Sequence, residues 1–224
     1  MPTGLIIGAS RGLGLGLAQE FADRGWIVTG TVRSEHDKEP LEAAGATAEI
    51  ADITDPVSID ALRTIIAERH AGPLDLLFVN AGVSGPKHQD AGEMTETEAG
   101  ALFLTNAVAP VAVARLFLDQ LAEDGVVAFM SSTLGSVTNA AGNLELYSAS
   151  KAALNSLTRA MVAKADRPLT VLSLHTGWVQ TDMGGAGADL DVKTSVRGLA
   201  DVIMARRGTP GSAFLDYSGA ELPW

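Results

Sequence analysis

Tyr147 and Lys151 stand four residues apart in Tyr147-Ser148-Ala149-Ser150-Lys151, where a long helix-like segment opens. At that spacing both side chains lie on one helix face, close enough for the ammonium to act on the phenol. A free tyrosine ionises near ~10, so proton transfer near neutrality needs a neighbouring positive charge that favours the phenolate. Lys151 can supply that charge, although an isolated Tyr–Lys pair at helical spacing is equally a solvated surface pair. Upstream, Ser131 and Ser132 end a strand-like run. A hydroxyl there can point into the crevice at the strands' carboxyl ends. Ser131 can equally satisfy backbone groups at the strand end, and Ser136 is a third hydroxyl within reach.

A second constellation lies at the start of the chain, in Gly8-Ala9-Ser10-Arg11-Gly12-Leu13-Gly14. Glycines let the backbone turn tightly and approach a pyrophosphate, whose charge is favoured by the N-terminus of the helix behind it. Taken alone, such a turn is also an ordinary tight strand-to-helix connection. Its place directly after the first strand of an alternating chain favours the dinucleotide.

The elements that must position these groups alternate from end to end. Strand-like runs occur at Leu5 to Ile7, Trp26 to Val32, Thr47 to Ile50, Leu74 to Asn80, Val126 to Ser131, Thr170 to His175 and Ser212 to Leu215. Most are rich in Val, Ile, Leu or Phe without strict polar alternation, as strands buried on both faces are. Helix-like segments fill the intervals at Leu13 to Arg24, Pro56 to His70, Asn106 to Leu121, Tyr147 to Ala165 and Val192 to Arg206. Asp55 followed by Pro56 marks one helix start. Gly25, Gly72 and Gly125 are each expected in a left-handed conformation between a helix and a strand. The pattern is a parallel sheet covered on both faces. Ligands bind such sheets at the strands' carboxyl ends, where the loops Gly82 to Gly92, Gly135 to Asn143 and Met183 to Asp191 fall.

Composition narrows the function. The 224 residues carry 16 Lys plus Arg against 27 Asp plus Glu, a net charge of −11 that repels nucleic acid and anionic membrane surfaces. No Cys is present, and His36, His70, His88 and His175 are scattered, so neither a thiolate site nor any other metal site is expected. The first residues read as a strand entering a turn, not as a signal peptide. The most apolar later stretch, Ala107 to Leu118, contains Pro110 and Arg115 and falls short of the ~20 apolar residues that span a bilayer. A cytoplasmic protein without a transmembrane segment is the expectation.

Gly8, Gly12 and Gly14 fit GxxxGxG, and with Tyr147 and Lys151 as YxxxK the chain resembles the short-chain dehydrogenase/reductase family over nearly its whole length. Asp52-Ile53 is similar to the family's adenine-framing pair. Asn80-Ala81-Gly82 is similar to its NNAG motif, with Val79 in place of the first Asn. Ile7 replaces the usual Thr before the first Gly. Thr176-Gly177-Trp178-Val179-Gln180-Thr181-Asp182-Met183 resembles the PGxVxT loop with Thr for Pro. The resemblance implies an α/β chain, one Rossmann-type doubly wound domain over residues 1–224 with a seven-stranded, mostly parallel sheet and helices on both faces. It also implies hydride transfer between a nicotinamide and a carbonyl or alcohol substrate. Tyr147 would be the acid and base, Ser132 would polarise the carbonyl, and Lys151 would also bind the nicotinamide ribose. Asn106, read as the first residue of its helix and so also a natural cap, would hold a water that relays protons to Lys151. The spacing from Ser132 to Tyr147 is longer than the commonest in the family, with Asn139 to Asn143 as the extra length, so the choice between Ser131 and Ser132 stays open.

Cofactor contacts are implied for Gly8, Ser10, Arg11, Leu13, Gly14, Asp52, Ile53, Asn80, Ala81, Gly82, Tyr147, Lys151, Gly177, Val179 and Thr181. Trp178 and Met183 would line the substrate pocket with Ser132, although Trp178 reads equally as core. The second strand ends Thr29-Gly30-Thr31-Val32-Arg33-Ser34 without the acid that would bond a free ribose hydroxyl. Arg33, with Arg11 as a second cation, therefore favours NADP(H), with NAD(H) possible, unless Arg33 pairs with Glu35. The length and the tail from Tyr217 to Trp224 resemble the branch of C-factor-like and sniffer-like carbonyl reductases. That branch names no physiological substrate or direction; a small or planar carbonyl compound suits the Gly- and Ala-rich loop after Met183. A homodimer or homotetramer is implied through the helices containing Asn106 and Tyr147. Two other readings keep the same nucleotide site: a cofactor-sensing signalling protein and an epimerase, the latter with little room for a nucleotide sugar.

Overall fold

The computed structural model describes residues 1–142 and 144–224. Seven strands form one sheet: β1 (Thr3–Ile7), β2 (Ile27–Val32), β3 (Thr47–Ile50), β4 (Leu74–Val79), β5 (Leu121–Met130), β6 (Thr170–His175) and β7 (Gly211–Asp216). Their order is β3-β2-β1-β4-β5-β6-β7, and every pair is parallel. The sheet is thus wholly parallel, where a mostly parallel one was expected.

Among the described residues seven α-helices connect the strands: α1 (Gly12–Asp23), α2 (Lys38–Ala43), α3 (Pro56–Arg69), α4 (Glu96–Phe103), α5 (Ala109–Leu116), α6 (Glu145–Ala163) and α7 (Val192–Arg206). Leu5, Ile6 and Ile7 are all buried, and successive side chains enter opposite cores, as the two-residue strand period requires. Ile6 joins Leu17, Phe21, Phe78 and Leu199 under α1 and α7. Leu5 and Ile7 join Ile59, Leu77, Phe117, Phe129 and Leu154 under α3, α5 and α6. This double coverage is why the strands read as continuous apolar runs.

Several expectations need correction. The helix expected from Asn106 begins ten residues earlier, at Glu96. Thr95 and Glu98 form a capping box there, and a π-turn at Leu104–Val108 joins α4 to α5. Asn106 therefore lies inside that turn and caps nothing. The continuous 21-residue helix Glu96–Leu116 is long and apolar enough to cross a membrane by length and composition, but Ala107, Val111 and Ala114 are buried against the sheet, as in a core helix. Of the three glycines, only Gly25 has a positive φ, at +81°. Gly72 has none, and Gly125 lies within β5, where the pairing with β4 shifts register between Leu74 and Leu76. Gly45, at φ +85° between α2 and β3, takes the role that was expected of them. α2 itself had no counterpart in the sequence reading.

Candidate active site

The chain passes from β1 outward to β3, then returns to place β4 on the other side of β1, so the strand order reverses between β1 and β4. A cleft of about 540 Å³ opens at the carboxyl ends of these strands and continues past β5 to the loop after β6. The turn after β1 is built by close backbone approach. A Cβ on Gly8 would lie 2.9 Å from the Ala81 backbone, and one on Gly14 would lie 2.1 Å from the Gly8 carbonyl oxygen. Gly8 N donates to Thr31 Oγ1 at 2.8 Å, and Asn80 Nδ2 donates to the Gly8 carbonyl at 2.6 Å. Ile7, buried in the core, accepts through its carbonyl from the Asn80 and Ala81 amides at 3.0 and 2.9 Å. Gly14 does not line the cleft; it lets α1 pack on the turn.

Gly8, Ser10, Arg11 and Leu13 line the cleft, and α1 starts there without a side-chain cap. Asp55, Thr95 and Asp191 cap α3, α4 and α7. The unclaimed donors at the α1 N-terminus are what a pyrophosphate takes up, so these residues fit a dinucleotide.

Further out on this side lie Arg33, Asp52 and Ile53, with Ala81 and Gly82 across the cleft. The Asp52 carboxylate accepts from Thr54 N at 2.8 Å and from Thr54 Oγ1 at 2.7 Å, and these bonds hold it below the usual carboxylate range. Arg33 is exposed, and Glu35 pairs with Lys38 at 3.1 Å, so the alternative pairing of Arg33 with Glu35 is not formed. Arg11 faces Asp182 at 3.4 Å from an exposed position, which joins the glycine turn to the loop after β6.

At the other end, Tyr147 and Lys151 project from the first two turns of α6 into the same cleft. Lys151 is buried, and its Nζ donates to the Met130 carbonyl at 2.8 Å, 5.7 Å from the centroid of the Tyr147 ring. The ammonium thus lies over the ring and is held by a carbonyl. The expected lowering of the phenol by Lys151 gives way to burial, which pushes Tyr147 up to about 12, against a smaller pull downward from its hydrogen bond with Ser132. Burial also brings Lys151 down to about 8.

Ser132 and Ser131 face different partners. Ser132 reaches the Tyr147 phenol and accepts from Leu134 N at 3.2 Å. Ser131 donates to Asn155 Oδ1 at 2.7 Å, away from the tyrosine, and Ser136 packs toward the tail, with its hydroxyl 3.5 Å from the Trp224 carbonyl. The geometry brings Ser132, and neither of the others, to Tyr147. Asn143, the far end of the extra loop length, lies outside the described residues.

Asn106 is buried behind this pair. It accepts from Val83 N and donates to the Val83 carbonyl, both at 2.8 Å, and donates to Ser150 Oγ at 3.0 Å. A Cβ on Gly82 would lie 3.3 Å from Asn106 Oδ1 and 3.4 Å from Lys151 Nζ, so the three residues meet at one point.

In the loop after β6, Thr181 and Met183 line the cleft, whereas Gly177, Trp178 and Val179 do not. Val179 is buried and forms a β-bridge to Leu190; Gly177, at φ +77°, makes the turn beside it. Trp178 is 55% exposed and donates to the Gly184 carbonyl at 2.9 Å, so it is neither core nor cleft wall.

Sequence reasoning missed three residues that hold the site. Thr31, inside β2, anchors the glycine turn through the bond to Gly8 N. Asn155 accepts from Ser131 and donates to the Gly135 carbonyl at 3.2 Å, fastening both flanks of Ser132 to α6. Its position one turn beyond Lys151 on the same helix was a readable signal. Gln89 accepts from Tyr147 N at 3.0 Å, and no local spacing points to it.

Comparison with known proteins identifies relatives over most of the chain. The family model described as short chain dehydrogenase matches residues 3–189. The chain is 41% identical over 159 residues to the C-signal protein of Myxococcus xanthus, covering 68% of this chain and 94% of that one. A carbonyl reductase from Pseudomonas aeruginosa PAO1 in complex with NADP superposes over the full length of both chains, with a TM-score of 0.92 and 39% identity. The carbonyl reductase Sniffer of D. melanogaster does so with a TM-score of 0.88 and 31% identity. The chain belongs to the short-chain dehydrogenase/reductase family.

Proposed function

We propose that this protein is an NADP(H)-dependent reductase of carbonyl compounds, with Tyr147 as the proton donor. The observation that carries the reading is a single cleft with the uncapped α1 turn and Arg33 at one end and the Tyr147–Lys151 pair at the other, with Ser132 beside the phenol. In this reading Gly8 and the segment Ser10 to Leu13 hold the pyrophosphate. Asp52 and Ile53 frame the adenine, and Asn80 to Gly82 line the sugar path. Arg33 meets the 2′-phosphate, supported by the bound NADP of the Pseudomonas relative. Thr181 takes the nicotinamide side, with Gly177 and Val179 shaping its loop. When bound, the nicotinamide supplies the hydride that reduces the carbonyl carbon.

Ser132 donates a hydrogen bond to the carbonyl oxygen, and Tyr147 delivers the proton that completes the alcohol. A phenol held near about 12 stays protonated throughout the neutral range, which suits a donor in reduction. Lys151 contributes positive charge beside the ring only while protonated, so its group near about 8 makes reduction decline as pH rises through that value. Met183 and Val83, both exposed at the cleft, give an apolar mouth suited to a small or planar carbonyl compound. A homodimer or homotetramer is part of the same proposal, with Leu104, Val108 and Leu116 exposed along the 96–116 helix.

The test follows NADPH and NADH absorbance in parallel over a panel of ketones, aldehydes and quinones, with Tyr147→Phe as control. We expect carbonyl-dependent NADPH oxidation that falls about 10²- to 10⁴-fold in the variant. Unchanged turnover in the variant overturns the assignment. The likeness to the C-signal protein favours a second reading, a nucleotide-binding signalling protein, which nucleotide binding without turnover of any carbonyl would bring forward.

A further inference from the structure

Helix α6 carries Tyr147 in its first turn, yet the residue before the helix is a poor cap. Leu144 has a left-handed backbone (φ 48°, ψ 51°) and makes no side-chain bond to the helix amides. We propose that Gln89, from the loop after β4, is the positioning residue for Tyr147 and supplies the cap that α6 lacks. The proposal rests on the reductase reading only for its kinetic consequence.

Gln89 Oε1 accepts from the Tyr147 amide at 3.0 Å across 58 residues of sequence. The Nε2 of the same side chain donates to the Ser84 and Pro86 carbonyls at 2.8 and 2.7 Å, so one amide joins loop and helix. A second bond runs the opposite way, from Ala91 N to the Glu145 carboxylate in the first turn of α6. The loop's near end is fastened to the same cluster through Val83 and Asn106. Gln89 sits at φ +55°, a conformation that a residue with a Cβ adopts at a cost, and contacts at both ends of its side chain hold it there. The arrangement makes the backbone position of Tyr147 depend on the loop that borders the substrate mouth.

Three variants separate capping from loop folding. Gln89→Glu keeps an acceptor for the Tyr147 amide, in a charge state that the helix N-terminus favours, but loses both donors to the loop. Gln89→Ala loses everything, and Gln89→Gly loses everything while relieving the backbone. We expect Gln89→Ala and Gln89→Gly to lower kcat at least tenfold with NADPH affinity changed less than threefold and Tm lowered by only a few degrees. We expect amide exchange at Tyr147 to rise at least tenfold in both. Gln89→Glu should restore kcat and exchange to within threefold of the parent. Parental exchange at Tyr147 in Gln89→Ala overturns the proposal, as does a Gln89→Glu variant as impaired as Gln89→Ala. A parent protein that turns over no carbonyl defeats the reductase reading, and the exchange measurement then still decides whether Gln89 caps the helix.

Discussion

At the nucleotide end of the cleft, main chain packs against main chain, with the Thr31 and Asn80 side chains bonding Gly8 beside it: Gly8 abuts Ala81, and Gly14 abuts the Gly8 carbonyl with no room for a methyl group. At the catalytic end the backbone segments are joined through side chains, three of them amides. Asn106 holds Val83, Asn155 holds Ser131 and Gly135, and Gln89 holds Ser84, Pro86 and Tyr147. A main-chain joint tolerates no side chain at its centre and fixes one shape, whereas a side-chain joint can be loosened or exchanged one hydrogen bond at a time. The first suits a nucleotide contact that does not vary; the second suits a mouth that must fit a particular substrate.

The sharpest way to break this contrast is Gly14→Ala. Its methyl group would lie 2.1 Å from the Gly8 oxygen and 2.6 Å from Asn80 Nδ2, so the backbone of the turn has to move. We expect roughly 3 kcal/mol of lost stability and no measurable nucleotide binding, read by denaturant midpoint and by nucleotide titration. Parental affinity in that variant would mean that the turn is softer than its packing implies. Asn155→Ala tests the other end. It orphans the Ser131 hydroxyl and the Gly135 carbonyl, at roughly 1–3 kcal/mol, and frees the segment that carries Ser132. Turnover should fall about 10- to 100-fold while NADPH affinity stays near the parent value. Equal loss in affinity and turnover would show that the two ends are one mechanical unit and erase the distinction.

What was legible in the sequence follows the same division. The glycine turn, the Tyr147–Lys151 pair and the buried strands are set by spacings of a few residues, and periodicity and glycine placement report such spacings. The start of the helix at Glu96 is also written locally, in Thr95-Glu96-Thr97-Glu98, but the apolar run beginning near Asn106 carries the stronger helical signal. Short α2, with Pro40 inside it and Leu41 as its buried residue, offers too few apolar positions to show a period. The joints made by Gln89 and Asn155 join segments 58, 24 and 20 residues apart, and no local pattern carries that information. The direction of the Tyr147 shift departs from the expectation for a related reason. Helical spacing places the two groups together, but the Met130 carbonyl that holds Lys151 and the burial that dominates both groups come from the tertiary fold.

Arg33 gives the smallest effect and tests a part of the nucleotide end that is not main-chain built. It is exposed beside the cleft, with Asp52 near enough to feel its charge. An exposed guanidinium on a phosphate is screened by solvent, so its contribution is about 1–2 kcal/mol, or roughly tenfold in affinity. Arg33→Ala should therefore weaken NADPH about tenfold, leave NADH within about twofold, and flatten the dependence of NADPH affinity on salt. Equal weakening of both nucleotides would assign Arg33 to the shape of the adenosine site. No change in either would move the discrimination to Arg11, whose partner Asp182 would then have to release it when the 2′-phosphate binds.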